Sequence, residues 1–193
     1  MKRFLAFGLL LVASLTLDQA TKLWAADRLA GDAAQNAIVL IDGYLRFEFA
    51  ANPGAAWSFL ADQPGLRGPV LISVAALAIL LLGVWAFRVR AEQRLLLAAL
   101  GCLLSGAIGN LIDRIRLGYV IDFIVFHVKN GFRWPTFNVA DIAIVVGVGL
   151  LLLDSLRGFL RERRQARASW AHLPTPSSQA TTKNGSKKAP DAR

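Results

Sequence analysis

The sequence predicts an all-α membrane protein with four transmembrane helices, a small β-sheet on the outer face and a short surface helix beside it. The chain of 193 residues is 55% hydrophobic, which is more than a soluble domain of this size needs for its core. Its apolar residues also fall into four blocks, and a helix needs about 20 mostly apolar residues to cross a bilayer core. The predicted helices cover approximately residues 4–24, 69–87, 95–113 and 138–157.

The positive charges of the chain, whose formal net charge is +9, follow the predicted helices. They lie before the first helix, between the second and third, and after the fourth, at Lys2, Arg3, Arg88, Arg90, Arg94, Arg157, Arg161, Arg163, Arg164 and Arg167. If the helices run up and down, these places share one side of the membrane, which is the positive-inside pattern and predicts that both termini are cytoplasmic. The same distribution argues against nucleic-acid binding, since membrane orientation alone requires such basic flanks.

The two outer loops carry strand and turn signals. Residues 44–49 alternate between apolar and polar side chains, and residues 119–128 are strand-like and lead to Asn130-Gly131, a hairpin signal. We therefore expect the loops to pair into a small sheet at the membrane surface. Residues 55–61 are expected to form the surface helix, since Trp57 and Phe59 are suitable interfacial anchors.

Composition divides the chain into two parts. Residues 1–167 hold the four predicted helices and both outer loops, and they form the predicted transmembrane domain. Residues 168–193 are rich in Ser, Thr, Pro, Lys and Ala, and they are predicted to be a disordered cytoplasmic tail because they lack a core. Any functional site is therefore expected within the first part.

Polar residues within the predicted helices gather at one depth. They lie near the end of the first helix, near the end of the third and at the start of the fourth: Asp18, Lys22, Asn110, Asp113, Arg114, Asn138 and Asp141. Because the helices alternate in direction and rise 1.5 Å per residue, these positions share a level just below the outer face, where Asp122 of the second outer loop can reach them. Charged groups in membrane helices are costly, so they usually face the bundle interior and mark function. Such a layer predicts a functional site.

Each part of this layer also has a purely structural interpretation. Asn138 and Asp141 fit a helix N-cap and its N3 acid. The pair formed by Asp18 and Lys22 fits an ion pair four residues apart on one helix face. Asn110, Asp113 and Arg114 fit a structural group of polar residues that holds the helix to the loop. Asp122 fits an ordinary acidic residue of a loop.

Two other functional classes are compatible with intramembrane charges. A small transporter or proton-relay protein also carries Asp, Lys and Arg within its helices. A transport path, however, needs polar residues at several depths, and the inner half of this bundle holds little besides Asp154. The third class, a purely structural membrane protein, does not explain why costly polar residues concentrate in one layer. The pattern therefore favours a site that opens on one side.

Five separated motifs occur in order along the predicted helices and outer loops. They are Asp18-Gln19-Ala20-Thr21-Lys22, Asn52-Pro53-Gly54-Ala55-Ala56-Trp57-Ser58, the segment 105–114 that ends in Asp113-Arg114, Gly118-Tyr119-Val120-Ile121-Asp122-Phe123, and Phe137-Asn138-Val139-Ala140-Asp141. Together they resemble the motifs of the lipoprotein signal peptidase family, also called signal peptidase II, over about residues 17–150. The departures are small, since Ser105 replaces a glycine and Pro53 follows the asparagine of the second motif.

The resemblance implies an intramembrane aspartic endopeptidase that removes signal peptides from diacylglyceryl-modified prolipoproteins and cleaves before the lipidated cysteine. It also implies a multi-pass protein of the bacterial inner membrane with an active site near the periplasmic face. Asp122 and Asp141 match the catalytic pair of the family. Two carboxylates held close together share one proton near neutral pH, so one can activate water while the other protonates the scissile carbonyl.

The other matching residues take supporting roles by the same resemblance. They frame the site and bind the substrate: Asp18, Lys22, Asn52, Gly54, Asn110, Asp113, Arg114 and Asn138. Neither a metal nor another cofactor is expected. The expected partners are prolipoprotein signal peptides with a diacylglyceryl cysteine and membrane lipids, and the protein is expected to work as a monomer without nucleic acid.

Overall fold

The computed structural model describes residues 2–54, 64–90, 92–129 and 131–171. Within these ranges the chain forms five helices and three strands, in the order α1 (Lys2–Leu29), α2 (Ala33–Asn36), β1 (Ile38–Ile41), β2 (Leu45–Asn52), α3 (Pro64–Arg88), α4 (Arg94–Leu117), β3 (Val120–Phe126) and α5 (Val139–Ala171). Of these, α1, α3, α4 and α5 are long and apolar enough to cross a membrane. The predicted fold class is therefore confirmed, whereas the predicted surface helix at residues 55–61 lies outside the described residues.

The long helices extend beyond the predicted spans. α1 runs to Leu29 and α4 to Leu117, because polar residues at the end of an apolar block still form the backbone hydrogen bonds of a helix. α5 runs to Ala171 and so includes residues 168–171, which the sequence assigned to the tail; the chain from residue 172 lies outside the described part. The chain divides into two compact units, Met1–Leu153 and Asp154–Arg193, and every predicted site residue belongs to the first.

α4 is the central helix of the first unit. In its most apolar stretch 67% of the residues are buried, against 6% in α1, 11% in α3 and 17% in α5. The apolar side chains that α1, α3 and α5 expose are those expected of helices that face lipid. Small residues let α5 approach α4 closely, since a β-carbon on Gly147 would lie 2.9 Å from the carbonyl oxygen of Ala99.

The three strands form one antiparallel sheet in the order β1-β2-β3. The predicted pairing of the two loops is present as β2 with β3, in a register that places Ala50 opposite Asp122. β1 was not predicted, because its sequence Ile-Val-Leu-Ile is apolar throughout and shows no alternation. After β3 the chain turns back, and the N–H group of Val128 donates to the carbonyl oxygen of Phe132 at 2.8 Å. Asn130 of the predicted hairpin lies outside the described ranges.

Aromatic packing fixes the sheet against α1. Trp24 of α1, Phe47 of β2 and Phe123 of β3 form an edge-to-face triad with ring centroids 5.6 to 6.2 Å apart. Such pairs contribute roughly 0.5–1.5 kcal/mol beyond the burial of their surface. Since successive side chains of a strand point to opposite faces, holding Phe123 on this face directs the neighbouring Asp122 to the other.

Candidate active site

Asp122 lies on β3 in an almost fully buried position, with only 2% of its surface exposed. Its carboxylate accepts two hydrogen bonds from side-chain amides: the Nδ2 of Asn138 donates to Oδ1 at 2.7 Å, and the Nδ2 of Asn52 donates to Oδ2 at 2.8 Å. The sheet register places the end of β2 beside this residue. Asn52, which was predicted as a supporting residue, is thus brought next to Asp122 by the pairing of two strands.

Burial raises the pKa of the Asp122 carboxyl from 3.8 to about 6. The hydrogen bonds from Asn52 and Asn138 and the charge of Lys22 act in the opposite direction, while the negative charge of Asp141 adds to the increase. A carboxyl with this pKa holds a proton at mildly acidic pH and can release it near neutrality. This is the property that a general acid needs.

Gly54 completes the turn that holds Asn52. Its N–H group donates to the Oδ1 of Asn52 at 2.9 Å, which fixes the amide so that Nδ2 faces Asp122. Gly54 has φ +101°, and a β-carbon there would lie 2.5 Å from Cδ1 of Leu71. Both the backbone conformation and the space therefore favour glycine.

Asp141 lies in the first turn of α5 and is half-buried. Its Oδ2 accepts the backbone N–H of Asn138 at 3.1 Å, and the Oδ1 of Asn138 accepts the backbone N–H of Asp141 at 3.0 Å. These reciprocal bonds form a helix cap, so the structural interpretation of this pair is observed. The other carboxylate oxygen, Oδ1, accepts from Nδ2 of Asn110 at 2.9 Å. Asp141 therefore both caps α5 and joins the polar cluster.

Asn138 connects the two aspartates. It is completely buried, and its Nδ2 lies 2.7 Å from Oδ1 of Asp122 and 3.1 Å from Oδ1 of Asn110. Its backbone N–H and its Oδ1 meanwhile engage Asp141. One residue thus contacts both carboxyl groups of the predicted catalytic pair.

A second cluster surrounds Lys22. Its ammonium group lies 3.1 Å from Oδ2 of Asp18, 2.9 Å from Oδ2 of Asp113 and 2.8 Å from Oδ1 of Asn110. All three donor positions of the ammonium group are thereby used. The two carboxylates and the lysine are each no more than 2% exposed. These residues form a buried ion-pair network and not a surface salt bridge.

The carboxylates of this network also bind to backbone groups of the two elements that carry Asp122 and Asp141. The backbone N–H of Ala140, in α5, donates to Oδ1 of Asp18 at 2.9 Å. The backbone N–H of Ile121, in β3, donates to Oδ2 of Asp113 at 3.2 Å. Each bond involves the residue next to one predicted catalytic aspartate. The network therefore positions both Asp122 and Asp141.

Arg114 is half-buried at the edge of the cluster. Its Nη1 donates to the carbonyl oxygen of Asn110 at 3.2 Å, and its charge interacts with those of Asp141 and Asp122. One turn later Gly118, at φ +79°, ends α4 with its N–H bonded to the carbonyl oxygen of Arg114 at 3.1 Å. This short link leads from α4 into β3, which carries Asp122. Together with the contacts described above, it completes one cluster that contains every predicted site residue.

Gln19 belongs to the cluster but was not predicted. Its Nε2 lies 3.1 Å from Oδ2 of Asp18 and 3.3 Å from Oδ1 of Asp113. Its position beside Asp18 in a polar helix turn was the available signal. Among the described residues, no group of three or more His, Cys, Asp or Glu side chains is arranged to hold a metal ion.

Comparison with known proteins identifies the family. Residues 10–157 match the family model described as Signal peptidase (SPase) II. The chain belongs to the signal peptidase II family. The lipoprotein signal peptidase of Geobacter sulfurreducens is 47% identical over 160 residues, which cover 83% of this chain and 95% of that protein. The lipoprotein signal peptidase of Pseudomonas putida is 43% identical over 143 residues, covering 74% and 82%.

A solved structure agrees with this assignment. A bacterial membrane enzyme determined by the in meso method at 1.9 Å resolution shares 28% identity with this signal peptidase at a TM-score of 0.67. The similarity covers 78% of this chain and 92% of that chain. The predicted family and enzyme class are therefore confirmed: the protein is a multi-pass membrane protease of the signal peptidase II family. Family membership also decides against the transporter and the purely structural protein.

Proposed function

We propose that this signal peptidase removes signal peptides from prolipoproteins by an aspartic mechanism, with Asp122 and Asp141 as the catalytic pair. One observation carries the assignment. Among the carboxylates of the cluster, these two are bridged by Asn138, and their hydrogen bonds come from amide donors. In the part of the chain that the structure describes, no ion pair within 4 Å includes either of them. A pair of carboxylates with no cation in direct contact can share a proton.

In the proposed reaction the two aspartates take different roles. The buried Asp122 carries the proton, consistent with its pKa of about 6. Asp141 lies at the start of α5, where the helix dipole favours negative charge, and acts as the general base. It takes a proton from water as the water oxygen attacks the scissile carbonyl carbon, while Asp122 donates its proton to the carbonyl oxygen.

Collapse of the tetrahedral intermediate completes the hydrolysis. The carbon–nitrogen bond breaks, and the proton held by Asp141 passes to the leaving nitrogen. The products are a signal peptide with a new carboxylate and a lipoprotein with a new amino group. Asp122 recovers its proton from one hydroxyl group of the intermediate, so both aspartates return to their starting protonation states. The reaction needs no cofactor.

The supporting residues keep this geometry fixed. Asn52, Asn110 and Asn138 orient the carboxyl groups through hydrogen bonds of 2.7 to 2.9 Å. In the proposal Gly54 preserves the turn at Asn52, and Arg114 is available to the substrate at the edge of the cluster. The ion pairs of Lys22 with Asp18 and Asp113 lock α1 and α4 together. All of these groups come from one chain, which supports a monomeric enzyme.

The proposed location is the bacterial inner membrane, with both termini cytoplasmic and the site near the periplasmic face. The cations that flank the helices on one side support this orientation. The polar cluster lies near the carboxyl ends of α1 and α4 and the amino end of α5, which is one end of the bundle. At that depth water reaches the scissile bond while the apolar signal peptide and the acyl chains of a diacylglyceryl cysteine stay in lipid.

The decisive experiment measures cleavage of a purified diacylglyceryl-modified prolipoprotein. We expect wild type to release a product that begins at the lipidated cysteine, and Asp122→Asn to be inactive although folded. Asp154→Asn, which removes a carboxylate of α5 outside the cluster, serves as the matched control and should remain active. The unlipidated precursor should be cut far more slowly. Full activity of Asp122→Asn would rule out this mechanism.

A further inference from the structure

The carboxyl-terminal part of α5 carries a basic face that the peptidase site does not use. Arg157, Arg161 and Arg164 line one shallow surface pocket together with Leu160. Residues spaced three and four apart project from the same side of a helix. All three arginines are exposed, and none of the ion pairs formed within the described ranges includes them. We call these four residues the basic face.

Two other charged residues of this segment, Arg163 and Glu162, lie on different sides of the helix. The guanidinium carbon of Arg163 lies 4.5 Å from the ring centroid of Phe159, so Arg163 packs on a different side of the helix. Glu162 follows Arg161 directly, and a turn of about 100° per residue points it away from the basic face. The remaining acid, Asp154, lies three residues before Arg157 on the same side of α5 and is half-buried. One acid against three arginines leaves this side of α5 with a net positive charge.

The length of α5 places this face at the membrane boundary. Its 33 residues extend over about 50 Å, whereas about 20 residues cross the hydrocarbon core. Counted from Val139, the crossing ends near Gly158. Arg157 then stands at the edge of the hydrocarbon, and Arg161 and Arg164 lie one and two turns beyond it, at the depth of lipid headgroups.

The composition of the pocket also fits a lipid. Leu160 is 47% exposed between the arginines and can contact an acyl chain or glycerol backbone. Arginine side chains reach from apolar surroundings towards the interface, and the guanidinium group binds phosphate oxygens in a bidentate manner. A pocket lined by an exposed leucine and three cations matches an amphipathic anion better than a water-soluble one.

We propose that Arg157, Arg161 and Arg164 form a binding site for the headgroup phosphate of an anionic phospholipid, in the leaflet at the carboxyl end of α5. With the proposed orientation this is the cytoplasmic leaflet, whose anionic lipids attract basic segments. The family model ends at residue 157, so two of the three arginines lie beyond the matched region. The inference rests on the proposed orientation and is independent of the proposed reaction.

The test compares two charge-matched double variants of the full-length protein after exchange of its lipids for a neutral detergent. R161Q/R164Q removes two charges from the basic face, whereas R163Q/R167Q removes two charges of the same segment that do not line the pocket. Native mass spectrometry then measures binding of phosphatidylglycerol and phosphatidylcholine. We expect wild type to prefer phosphatidylglycerol, R161Q/R164Q to bind it at least about tenfold more weakly, and R163Q/R167Q to stay within about threefold of wild type.

Three outcomes would overturn the site. Equal weakening in both variants would mean a diffuse attraction between charges. Equal binding of the two lipids by wild type would mean that the site does not distinguish an anionic from a zwitterionic headgroup. Competition by inorganic phosphate at millimolar concentration would mean a site for soluble anions. Cleavage measured on the same samples keeps the two proposals separate, since lipid selectivity without peptidase activity would contradict only the proposed reaction.

Discussion

Two carboxylate pairs lie side by side at one end of the bundle, and they differ in the groups that face them. Asp18 and Asp113 share the ammonium group of Lys22 at 3.1 and 2.9 Å. Asp122 and Asp141, in contrast, accept hydrogen bonds from amide donors. A nearby cation keeps a buried carboxylate ionised, whereas burial without one favours the protonated form. The first pair is therefore suited to structure, and the second to proton transfer.

The two pairs are joined by asparagines. The Oδ1 of Asn110 accepts from Lys22 at 2.8 Å and from Asn138 at 3.1 Å, which leaves its Nδ2 to donate to Asp141 at 2.9 Å. The charge of Lys22 thereby fixes which way the amide of Asn110 faces. The comparison teaches that the ionic pair fixes the orientation of the amides that bind the proposed catalytic pair.

The largest expected effect separates activity from stability. Asp141→Asn should lower kcat/KM for a lipidated precursor by at least about 10³-fold, since it removes the proposed general base. Asp113→Asn, the matched change in the ionic pair, should retain activity in the folded fraction but melt several degrees earlier. Cleavage assays and thermal unfolding of both variants in one detergent check this. If Asp113→Asn proved catalytically dead while fully stable, the division between the pairs would be wrong.

The next largest effect is the loss of stability when Lys22, the cation of the ionic pair, is replaced. Lys22→Met should reduce the free energy of unfolding by about 3–5 kcal/mol, because it leaves two buried carboxylates without a counter-charge. Adding Asp113→Asn to this variant should restore part of the loss, since only one uncompensated carboxylate then remains. Denaturant titration of the single and double variants gives both values. A double variant less stable than the sum of the two single changes would contradict the ionic interpretation.

A smaller effect depends on pH and on Asp122. Its pKa is raised from 3.8 to about 6 in the folded protein, so the folded state binds a proton that the unfolded chain has already released. The stability contributed by this proton is complete below pH 3.8 and is lost as the pH rises through about 6.

Relative to Asp122→Asn, wild type should therefore lose about 2 kcal/mol between pH 4 and pH 7. Unfolding of the two proteins across this range measures the difference, and Asp154→Asn serves as a carboxylate control. A constant difference between wild type and Asp122→Asn would show that Asp122 does not titrate in this window. The amide substitution also changes hydrogen bonds, but that contribution does not vary with pH.

The smallest expected effect is a loss of stability when Gln19, which donates to both carboxylates of the ionic pair, is replaced. Gln19→Met preserves side-chain length but removes the donor to Asp18 and Asp113, and should cost about 1 kcal/mol of stability. Activity in the folded fraction should be unchanged because the catalytic pair keeps its donors. Thermal unfolding and cleavage of this variant check both statements. A loss of kcat at constant stability would place Gln19 among the residues that act on catalysis.

Much of the architecture could be predicted from the sequence because it depends on local pattern. Apolar blocks of the right length predict membrane helices, and the spacing of Asp18 with Lys22 and of Asn138 with Asp141 predicts a shared helix face and a cap. The alternating direction of the helices even predicts the common depth of these groups. The features that were not predicted lacked a local pattern. β1 is apolar throughout and shows no alternation, and α5 extends to Ala171 through a polar segment that has no apolar block.

The partners within the site were decided only by the tertiary structure. Nothing local to Lys22 indicates that it faces Asp113, 91 positions later, as well as Asp18, and the sequence left open which aspartate holds the proton. That choice depends on burial and on the orientation of donors, such as the amide of Asn52 at the end of a neighbouring strand. By itself the sequence determined which polar groups share one depth in the membrane. Packing determined which carboxylates contact a cation directly and which contact amides, because that depends on contacts between residues far apart in the chain.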